Sequence, residues 1–157
     1  MQRHESEVVL GLGSNIGNRL KNINEAISML KDKLIIVKVS KVIETEPYGY
    51  KDQPMFLNCC LIAKTALSAD KLLEFVLSIE KRMGRVREFK WGPRNIDIDI
   101  LFYDNLIINR DDLVIPHPEL HKREFVLKSL VEIMPDFVHP KLNRSIKDIY
   151  EELVNKK

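Results

Sequence analysis

The sequence predicts an α+β fold in which one antiparallel sheet carries the helices. Short runs rich in Val, Ile and Leu alternate with two amphipathic stretches, and together they give the order β-α-β-β-α-β. The two middle runs follow each other directly, which favours an antiparallel pair. This order is the ferredoxin-like pattern, in which helices pack on one face of the sheet and long loops have room on the other.

The first half of the chain supplies three strands and the first helix. The run "EVVLGLG" (residues 7–13) is β-rich and ends in glycines, while "LIIVKVSKVIET" (34–45) and "MFLNCCLIAKTAL" (55–67) predict the next two strands. The loop "EPYGYKDQP" (46–54) joins those two strands. Residues 18–33 predict the first helix. Its apolar side chains recur at helical spacing at Leu20, Ile23, Ile27 and Leu30.

The second half of the chain supplies the remaining elements. Residues 69–83 predict a second helix that Ser68 caps and Gly84 ends. "NIDIDILFYDN" (95–105) predicts a fourth strand, with residues 106–108 as its hairpin partner. Further helices are expected at 122–134 and 146–154. The apolar stripe of the second helix consists of Leu72, Leu73, Phe75, Val76, Ile79 and Met83.

Length and charge limit the class of protein. The 157 residues, of which 45% are hydrophobic, suit a single domain spanning 1–157. Lys and Arg total 25 against 23 Asp and Glu, so the net charge of +2 argues against a general nucleic-acid or membrane binder. No apolar run approaches the roughly 18 residues of a membrane span. Cys59 and Cys60 are adjacent in a strand and cannot pair, which favours a reducing, cytoplasmic location.

Two acidic residues interrupt the fourth strand. Asp97 and Asp99 alternate with isoleucines, so the two carboxylates lie on one face, about 6.5–7 Å apart along the chain, while the isoleucines face the core. Aspartate is disfavoured in strands, and like charges on one face repel. One interpretation is the polar outer face of a half-exposed strand. The other is a Mg²⁺ site, because Mg²⁺ binds one or two carboxylates together with substrate phosphates.

A basic segment precedes the acid pair. It contains Lys81, Arg82, Arg85, Arg87, Lys90 and Arg94. Alone, it could be a solvated helix face or a nucleic-acid patch, and Trp91 within it could be a core residue. Beside two carboxylates, it gives the charge pattern that suits ATP, with metal on one side of the phosphates and guanidinium groups on the other.

Other motifs carry less weight. "GLGSNIGNR" (11–19) lacks the Gly-Lys-Ser/Thr ending of a Walker A loop, so its glycines are expected to serve turning and close packing. His117 stands alone between prolines, and a lone histidine is more often structural than catalytic. The histidines and cysteines show no zinc spacing, and no nucleophile triad is evident.

Five segments in this order resemble a known family. They are "GLGSNIGNR", "ETEPYGYKDQPMFLNCCL", "IEKRMGRVR", "KWGPRNIDIDIL" and "IPHPELHKREFVLKSLVEI". The sequence is similar to 6-hydroxymethyl-7,8-dihydropterin pyrophosphokinase of folate biosynthesis from about Val8 to about Pro135. The resemblance implies a ferredoxin-like fold and transfer of the β,γ-pyrophosphoryl group of ATP to the pterin hydroxymethyl oxygen. AMP is released, and two Mg²⁺ ions take part.

The resemblance also implies roles for individual residues. Asp97 and Asp99 match the ligands of both metals. Arg85 and Arg94 match the catalytic arginines of a mobile loop. The ATP-binding positions are matched by Arg87, Trp91, His117 and Arg123. The partners implied are the two small-molecule substrates, with no nucleic acid or membrane, and the protein is expected to act as a monomer.

The pterin side maps onto other segments. Thr45 and Tyr48 match positions that offer mainly backbone hydrogen bonds, and Asn58 matches a side-chain amide that binds the pterin edge. Phe56 and Phe125 match two aromatic residues that sandwich the ring, although without the resemblance both would be assigned to the core. A flat polar heterocycle needs stacking faces and a few fixed donors and acceptors, which supports this set.

Two other functions compete at this stage. A metal-dependent phosphohydrolase could use the same carboxylates on a phosphate ester and would need no pterin acceptor. A ferredoxin-like RNA-binding module could use the basic segment and exposed aromatic residues. The acid pair argues against RNA binding, because in the absence of metal it would repel a phosphate backbone.

Overall fold

A computed structural model of the protein describes residues 5–47, 52–84 and 95–156. Within these ranges the chain forms a five-stranded antiparallel sheet with the order β2-β4-β1-β5, and β3 also pairs with β4. The strands are β1 (Ser6–Ser14), β2 (Ile35–Val39), β3 (Ile43–Thr45), β4 (Phe56–Thr65) and β5 (Asp97–Tyr103). The ferredoxin-like fold predicted from the order of the elements is therefore confirmed.

Helices cover both faces of the sheet, so the expectation of helices on one face is wrong. On one face, α1 (Arg19–Leu30) and α2 (Ala69–Arg82) bury Val8, Leu10 and Leu12 of β1. On the other, α3 (Glu124–Ile133) and α4 (Ile146–Asn155), with a short 3₁₀ turn at Leu120–Lys122, bury Val9. The cause is that β1 is apolar at successive positions, and each face needs a cover to remove those side chains from water. In the described ranges, no helix is both long enough and apolar enough to span a membrane.

The helix predictions hold with small differences. Ser68 accepts a hydrogen bond from the Lys71 backbone N–H at the start of α2, and Gly84 has φ +72° just after its end. Leu20 is 50% exposed although its spacing placed it in the buried stripe of α1. It lies in the first turn of α1, while Ile23 and Leu30 are fully buried on the sheet.

The second predicted strand is divided in two. β2 and β3 both pair with β4, and the chain between them is held by Ser40. The Ser40 N–H donates to the Cys60 carbonyl (2.8 Å), and the Cys60 N–H donates to the Ser40 hydroxyl oxygen (2.9 Å). A side-chain oxygen thus takes the place of a strand carbonyl at this break.

Ser40→Ala is expected to lower the free energy of unfolding by about 1–3 kcal/mol, because it leaves the buried Cys60 N–H without its acceptor. Ser78→Ala is the matched control. Among the described residues, the Ser78 hydroxyl donates to the Phe75 carbonyl of its own helix, so its removal leaves no donor there without an acceptor. Urea denaturation of both variants measures the difference, and equal stabilities would contradict the assignment.

Residues 106–108 do not pair with β5, so that hairpin prediction is wrong. Asp104 has φ +47° and exchanges hydrogen bonds with Glu7, which turns the chain away from the sheet after β5. The segment instead forms a small separate ladder of β6 (Ile108–Asn109) and β7 (Val114–Ile115). This ladder returns the chain to the outer edge of β5, where the His117 N–H donates to the Leu101 carbonyl (3.1 Å).

The turn before α4 is organised by a buried histidine. His139 Nδ1 accepts hydrogen bonds from the Lys141 and Leu142 N–H groups (3.1 and 3.0 Å). The ring packs edge-on against Phe102, with the centroids 5.5 Å apart. Burial lowers the pKa of His139 to about 4, so the imidazole is neutral at pH 7.

His139 is expected to make the protein sensitive to mild acid. Its folded pKa of about 4 lies below the ordinary value of 6.5, so between these pH values the unfolded chain binds more protons. Stability present above pH 6.5 is therefore lost as the pH falls toward 4, by about 2–3 kcal/mol for this one group. Urea titrations across this window should give a shallower pH dependence for His139→Asn than for the wild type. Parallel curves would contradict the prediction.

Candidate functional site

A cavity of about 370 Å³ opens on the sheet face that α3 partly covers. Its floor is made by the three adjacent strands β4, β1 and β5. Two rows of residues cross these strands, Asn58–Gly13–Asp97 and Cys60–Gly11–Asp99. Each row therefore has a glycine at its centre and a larger side chain at each end, which leaves a recess between them.

Asp97 and Asp99 occupy the β5 side of this floor. Both are half-exposed, whereas Ile98 and Ile100 are each only 6% exposed and pack in the core formed with α1 and α2. This confirms the predicted alternation. A β-bulge follows at Leu101, which pairs with no β1 residue and points into the same cavity as the carboxylates.

Gly13 makes room for the side chain of Asn58. A Cβ at position 13 would lie 2.7 Å from Asn58 Oδ1, closer than real contacts allow, and 3.4 Å from Phe56 Cδ1. A Cβ at Gly11 would meet only the Leu101 side chain, at an ordinary 3.5 Å. The glycines were predicted to serve turning and close packing. At Gly13, the absence of a side chain leaves room for the Asn58 amide.

The residues matched to the pterin side come together. Thr45, Phe56, Asn58 and Phe125 all line the cavity. The Asn58 amide nitrogen donates to the Thr45 hydroxyl oxygen (2.5 Å), which fixes the orientation of the amide. Phe56 and Phe125 are half-buried rather than core residues, so each keeps part of its ring accessible. Tyr48, the remaining member of the set, lies outside the described residues.

His117 and Arg123 line the same cavity on the side of the acid pair. His117 Nδ1 accepts a hydrogen bond from the Glu119 N–H (3.1 Å), which leaves the proton of the neutral ring on Nε2. Nε2 lies 3.9 Å from Asp99 Oδ2, too long for a direct hydrogen bond. Burial, followed by the charge of Arg123, lowers the pKa of His117 to about 4, and these outweigh the opposite effects of Asp97 and Glu119.

A second cavity, of about 350 Å³, lies at the outer edge of β5, between α2 and the end of the β6–β7 ladder. Apolar side chains form much of its wall, namely Leu73, Val76, Leu77, Ile98, Ile100, Leu113 and Val114. Its polar lining includes Glu80, Asp111 and Asp112. Asp97, Asp99 and His117 line both cavities. The acid pair therefore stands where the two cavities meet.

Other predicted site residues fall outside the described ranges. These are Arg85, Arg87, Trp91 and Arg94, together with the expectation that their loop is mobile. Glu80 was missed altogether. The signal for it was present, because Glu80 follows Val76 by four residues and thus lies on the apolar face of a helix, where a carboxylate is unusual.

Fold and site together define a class of protein. A ferredoxin-like α+β sheet carries two adjoining cavities, and a pair of carboxylates stands between them. One cavity is lined by aromatic rings and an oriented amide, and the other combines an apolar wall with acidic side chains. Such a site is suited to moving a phosphate-containing group between two small molecules.

Comparison with known proteins identifies the family. Residues 9–135 match the family model of 7,8-dihydro-6-hydroxymethylpterin-pyrophosphokinase. A 2-amino-4-hydroxy-6-hydroxymethyldihydropteridine pyrophosphokinase of Aquifex aeolicus is 45% identical over 92% of this chain and 91% of its own length. The protein of that name from Bacillus subtilis is 43% identical over 79% of this chain and 75% of its own length. The chain belongs to the 7,8-dihydro-6-hydroxymethylpterin-pyrophosphokinase family.

Some relatives are much longer than this chain. The folic acid synthesis protein fol1 of Pneumocystis carinii is 44% identical over 94% of this chain, which corresponds to 20% of the fungal protein. A crystal structure of Plasmodium falciparum HPPK-DHPS matches 99% of this chain and 44% of its own, with a TM-score of 0.79 at 19% identity. That likeness supports the fold.

Proposed function

We propose that this protein transfers the pyrophosphoryl group of ATP to the hydroxymethyl oxygen of 6-hydroxymethyl-7,8-dihydropterin, giving the pterin diphosphate and AMP in folate biosynthesis. Family membership and the names of the relatives support the reaction. The structural observation that carries it is the pair Asp97 and Asp99, which lines both cavities. A transfer reaction needs this arrangement, since the group must pass from one bound molecule to the other.

The cavity above Gly13 suits the pterin. A flat heterocycle with polar edges is held by aromatic faces and a few fixed hydrogen-bonding groups. Phe56 and Phe125 supply the aromatic faces, and Asn58, oriented by Thr45, supplies the amide. Tyr48 remains a proposed contributor from the part of the loop outside the described residues.

The cavity at the outer edge of β5 suits the nucleotide. Its apolar wall can take a purine ring, and the acid pair at its inner end is where a metal-bound polyphosphate would reach. His117 lies at this junction, and its Nε2–H can donate to a phosphate oxygen. Arg123 is near enough to lower the pKa of His117, so its charge acts at the same place. We assign Arg85, Arg87, Trp91 and Arg94 to ATP binding and phosphate stabilisation through the resemblance.

The donor set fits Mg²⁺. Two adjacent carboxylates provide hard oxygen ligands, and the open cavities leave room for waters and phosphate oxygens. In ranges 5–47, 52–84 and 95–156, no group of three or more His, Cys, Asp or Glu side chains is arranged to hold a metal, which argues against a closed structural site. We propose two ions, held by Asp97 and Asp99. When bound, they would neutralise the charge of the phosphates.

The residues of the chain then have separate tasks in the reaction. The pterin hydroxyl oxygen forms a bond to the β-phosphorus of ATP while the bond from that phosphorus to the α,β-bridging oxygen breaks, and AMP leaves with the bridging oxygen. The hydroxyl proton passes to solvent water in this step. Asn58 and the two phenylalanines orient the acceptor, and the cationic side chains stabilise charge on the phosphates.

Product analysis tests this function. The purified protein is incubated with ATP and Mg²⁺, with and without 6-hydroxymethyl-7,8-dihydropterin, and the nucleotides are separated by chromatography. AMP that appears only with the pterin, in equal amount to a pterin diphosphate, is the expected result. ADP or phosphate formed regardless of the pterin would indicate a hydrolase. No turnover with salt-sensitive RNA binding would indicate the binding module.

A further inference from the structure

A buried carboxylate in the lining of the second cavity holds the backbone of the acid pair. Glu80, in the last full turn of α2, is 3% exposed, and its Oε2 accepts a hydrogen bond from the Ile98 N–H (2.8 Å). A glutamate is almost never this buried unless its charge is compensated by strong hydrogen bonds or a partner. One of its two carboxylate oxygens thus accepts from the residue that separates Asp97 from Asp99.

The position of Ile98 in the sheet explains why an acceptor is needed there. Asp97 lies opposite Gly13 and Asp99 opposite Gly11 in the ladder with β1. In an antiparallel ladder, alternate residues direct their backbone groups toward and away from the neighbouring strand. The Ile98 N–H therefore points to the outer edge of β5. The described part of the chain places α2, rather than another strand, beside this part of β5.

We propose that Glu80 is a positioning residue for the acid pair, and this inference rests on the proposed function. The β1 ladder fixes Asp97 and Asp99 from one side, and Glu80 fixes the residue between them from the other. Three successive residues are thereby held on alternating sides, which sets the spacing and direction of the two carboxylates. A charged acceptor forms a stronger and shorter hydrogen bond to a backbone N–H than a neutral one.

A second contact at the same edge supports this interpretation. The Leu101 carbonyl, at the bulge just after Asp99, accepts from the His117 N–H (3.1 Å). Hydrogen bonds thus hold the outer edge of β5 on both sides of Asp99, at Ile98 and at Leu101. Both come from residues that line the second cavity, Glu80 and His117. Only the hydrogen bond to Glu80 depends on a side chain, so of these two it is the one that a substitution can remove.

Three substitutions separate positioning from other roles. Glu80→Leu removes the acceptor, Glu80→Gln keeps an acceptor without the charge, and Glu80→Asp keeps the charge on a side chain one methylene shorter. Glu74→Leu is the matched control, because Glu74 lies on the exposed face of the same helix, where it pairs with Lys71. Each variant is assayed for kcat and for pterin KM, and amide exchange of Ile98 is followed by NMR.

Glu80→Leu is expected to lower kcat by roughly 10- to 100-fold, since a displacement near 1 Å at a reacting site has effects of that size. Its pterin KM should stay within about threefold of wild type, because the pterin cavity is lined by other residues. Exchange of the Ile98 N–H should accelerate in the same variant. Glu80→Gln should restore most of the kcat and the protection, while Glu74→Leu should match wild type. If Glu80→Leu does not fold, Glu80→Asp provides the same comparison.

Two results would overturn the proposal. One is wild-type kcat in a folded Glu80→Leu or Glu80→Asp variant whose Ile98 N–H exchanges rapidly. The other is a low kcat in Glu80→Gln while the Ile98 N–H stays protected, which would mean that charge, not position, matters. The wild-type protein is assayed first for pterin-dependent AMP formation. If the proposed function is wrong, the wild-type protein forms no pterin-dependent AMP in this assay, whatever the exchange rate of the Ile98 N–H.

Discussion

Asp97→Asn and Asp99→Asn are each expected to lower kcat by about 1,000-fold or more, because the two carboxylates that we propose as Mg²⁺ ligands would act on the transition state itself. Asparagine has nearly the same shape, so the fold should persist. It lacks the negative charge that holds a hard dication among phosphate oxygens. Initial rates of AMP formation at saturating ATP, pterin and Mg²⁺ measure the effect.

Asp104→Asn is the matched control for the acid pair. Asp104 follows β5 directly, and its Oδ1 accepts from the Glu7 N–H (2.8 Å), a role that asparagine can keep. It lines neither of the two cavities. We expect its kcat to stay near wild type. A rate near wild type for Asp97→Asn at saturating Mg²⁺ would instead show that the acid pair is not the metal site.

Gly13→Ala is expected to weaken pterin binding by roughly 10- to 100-fold, because a site built to hydrogen-bond a ligand is sensitive to loss of an aligned group. The new methyl would stand 2.7 Å from Asn58 Oδ1, so the amide must move away from its partner Thr45. Gly13 is not among the glycines with positive φ in the described residues, which are Gly17 and Gly84. The effect should therefore come from crowding rather than backbone strain. Calorimetric titration with the pterin measures it.

Gly11→Ala provides the comparison in the same strand and on the same face. Its methyl would make an ordinary 3.5 Å contact with Leu101 and would leave Asn58 in place. We expect a change in pterin affinity several-fold smaller than for Gly13→Ala. Equal losses for the two variants would mean that the glycines act by keeping the floor open in general, and not by accommodating Asn58.

Much of the fold could be predicted because local patterns decide it. Apolar, β-rich runs defined β1 and β4, the alternation of Asp and Ile defined the start of β5, and the caps at Ser68 and Gly84 marked the ends of α2. What could not be predicted depends on partners distant in sequence. The placement of α3 and α4 on the second face follows from apolar residues on three different strands, and the break at Ser40 exists because its hydroxyl meets Cys60.

The functional site, like the fold, could be predicted only in part. Asp97 and Asp99 could be predicted because two carboxylates are chemically out of place in a buried strand. Their position between two cavities could not, since it requires the packing of α2 and His117 against the edge of β5. Glu80 carried a visible signal on its helix, but the meaning of that signal lies in Ile98, on a different element.

The most direct test of the account is a crystal structure of the protein with Mg²⁺, 6-hydroxymethyl-7,8-dihydropterin and α,β-methylene-ATP, in which the bond to be broken cannot react. We expect the pterin between Phe56 and Phe125 above Gly13, and the nucleotide in the cavity at the edge of β5. Metal bound by Asp97 and Asp99 should stand between them, with the β-phosphorus facing the pterin hydroxyl. Both ligands in one cavity, or metal bound away from the two aspartates, would contradict the account.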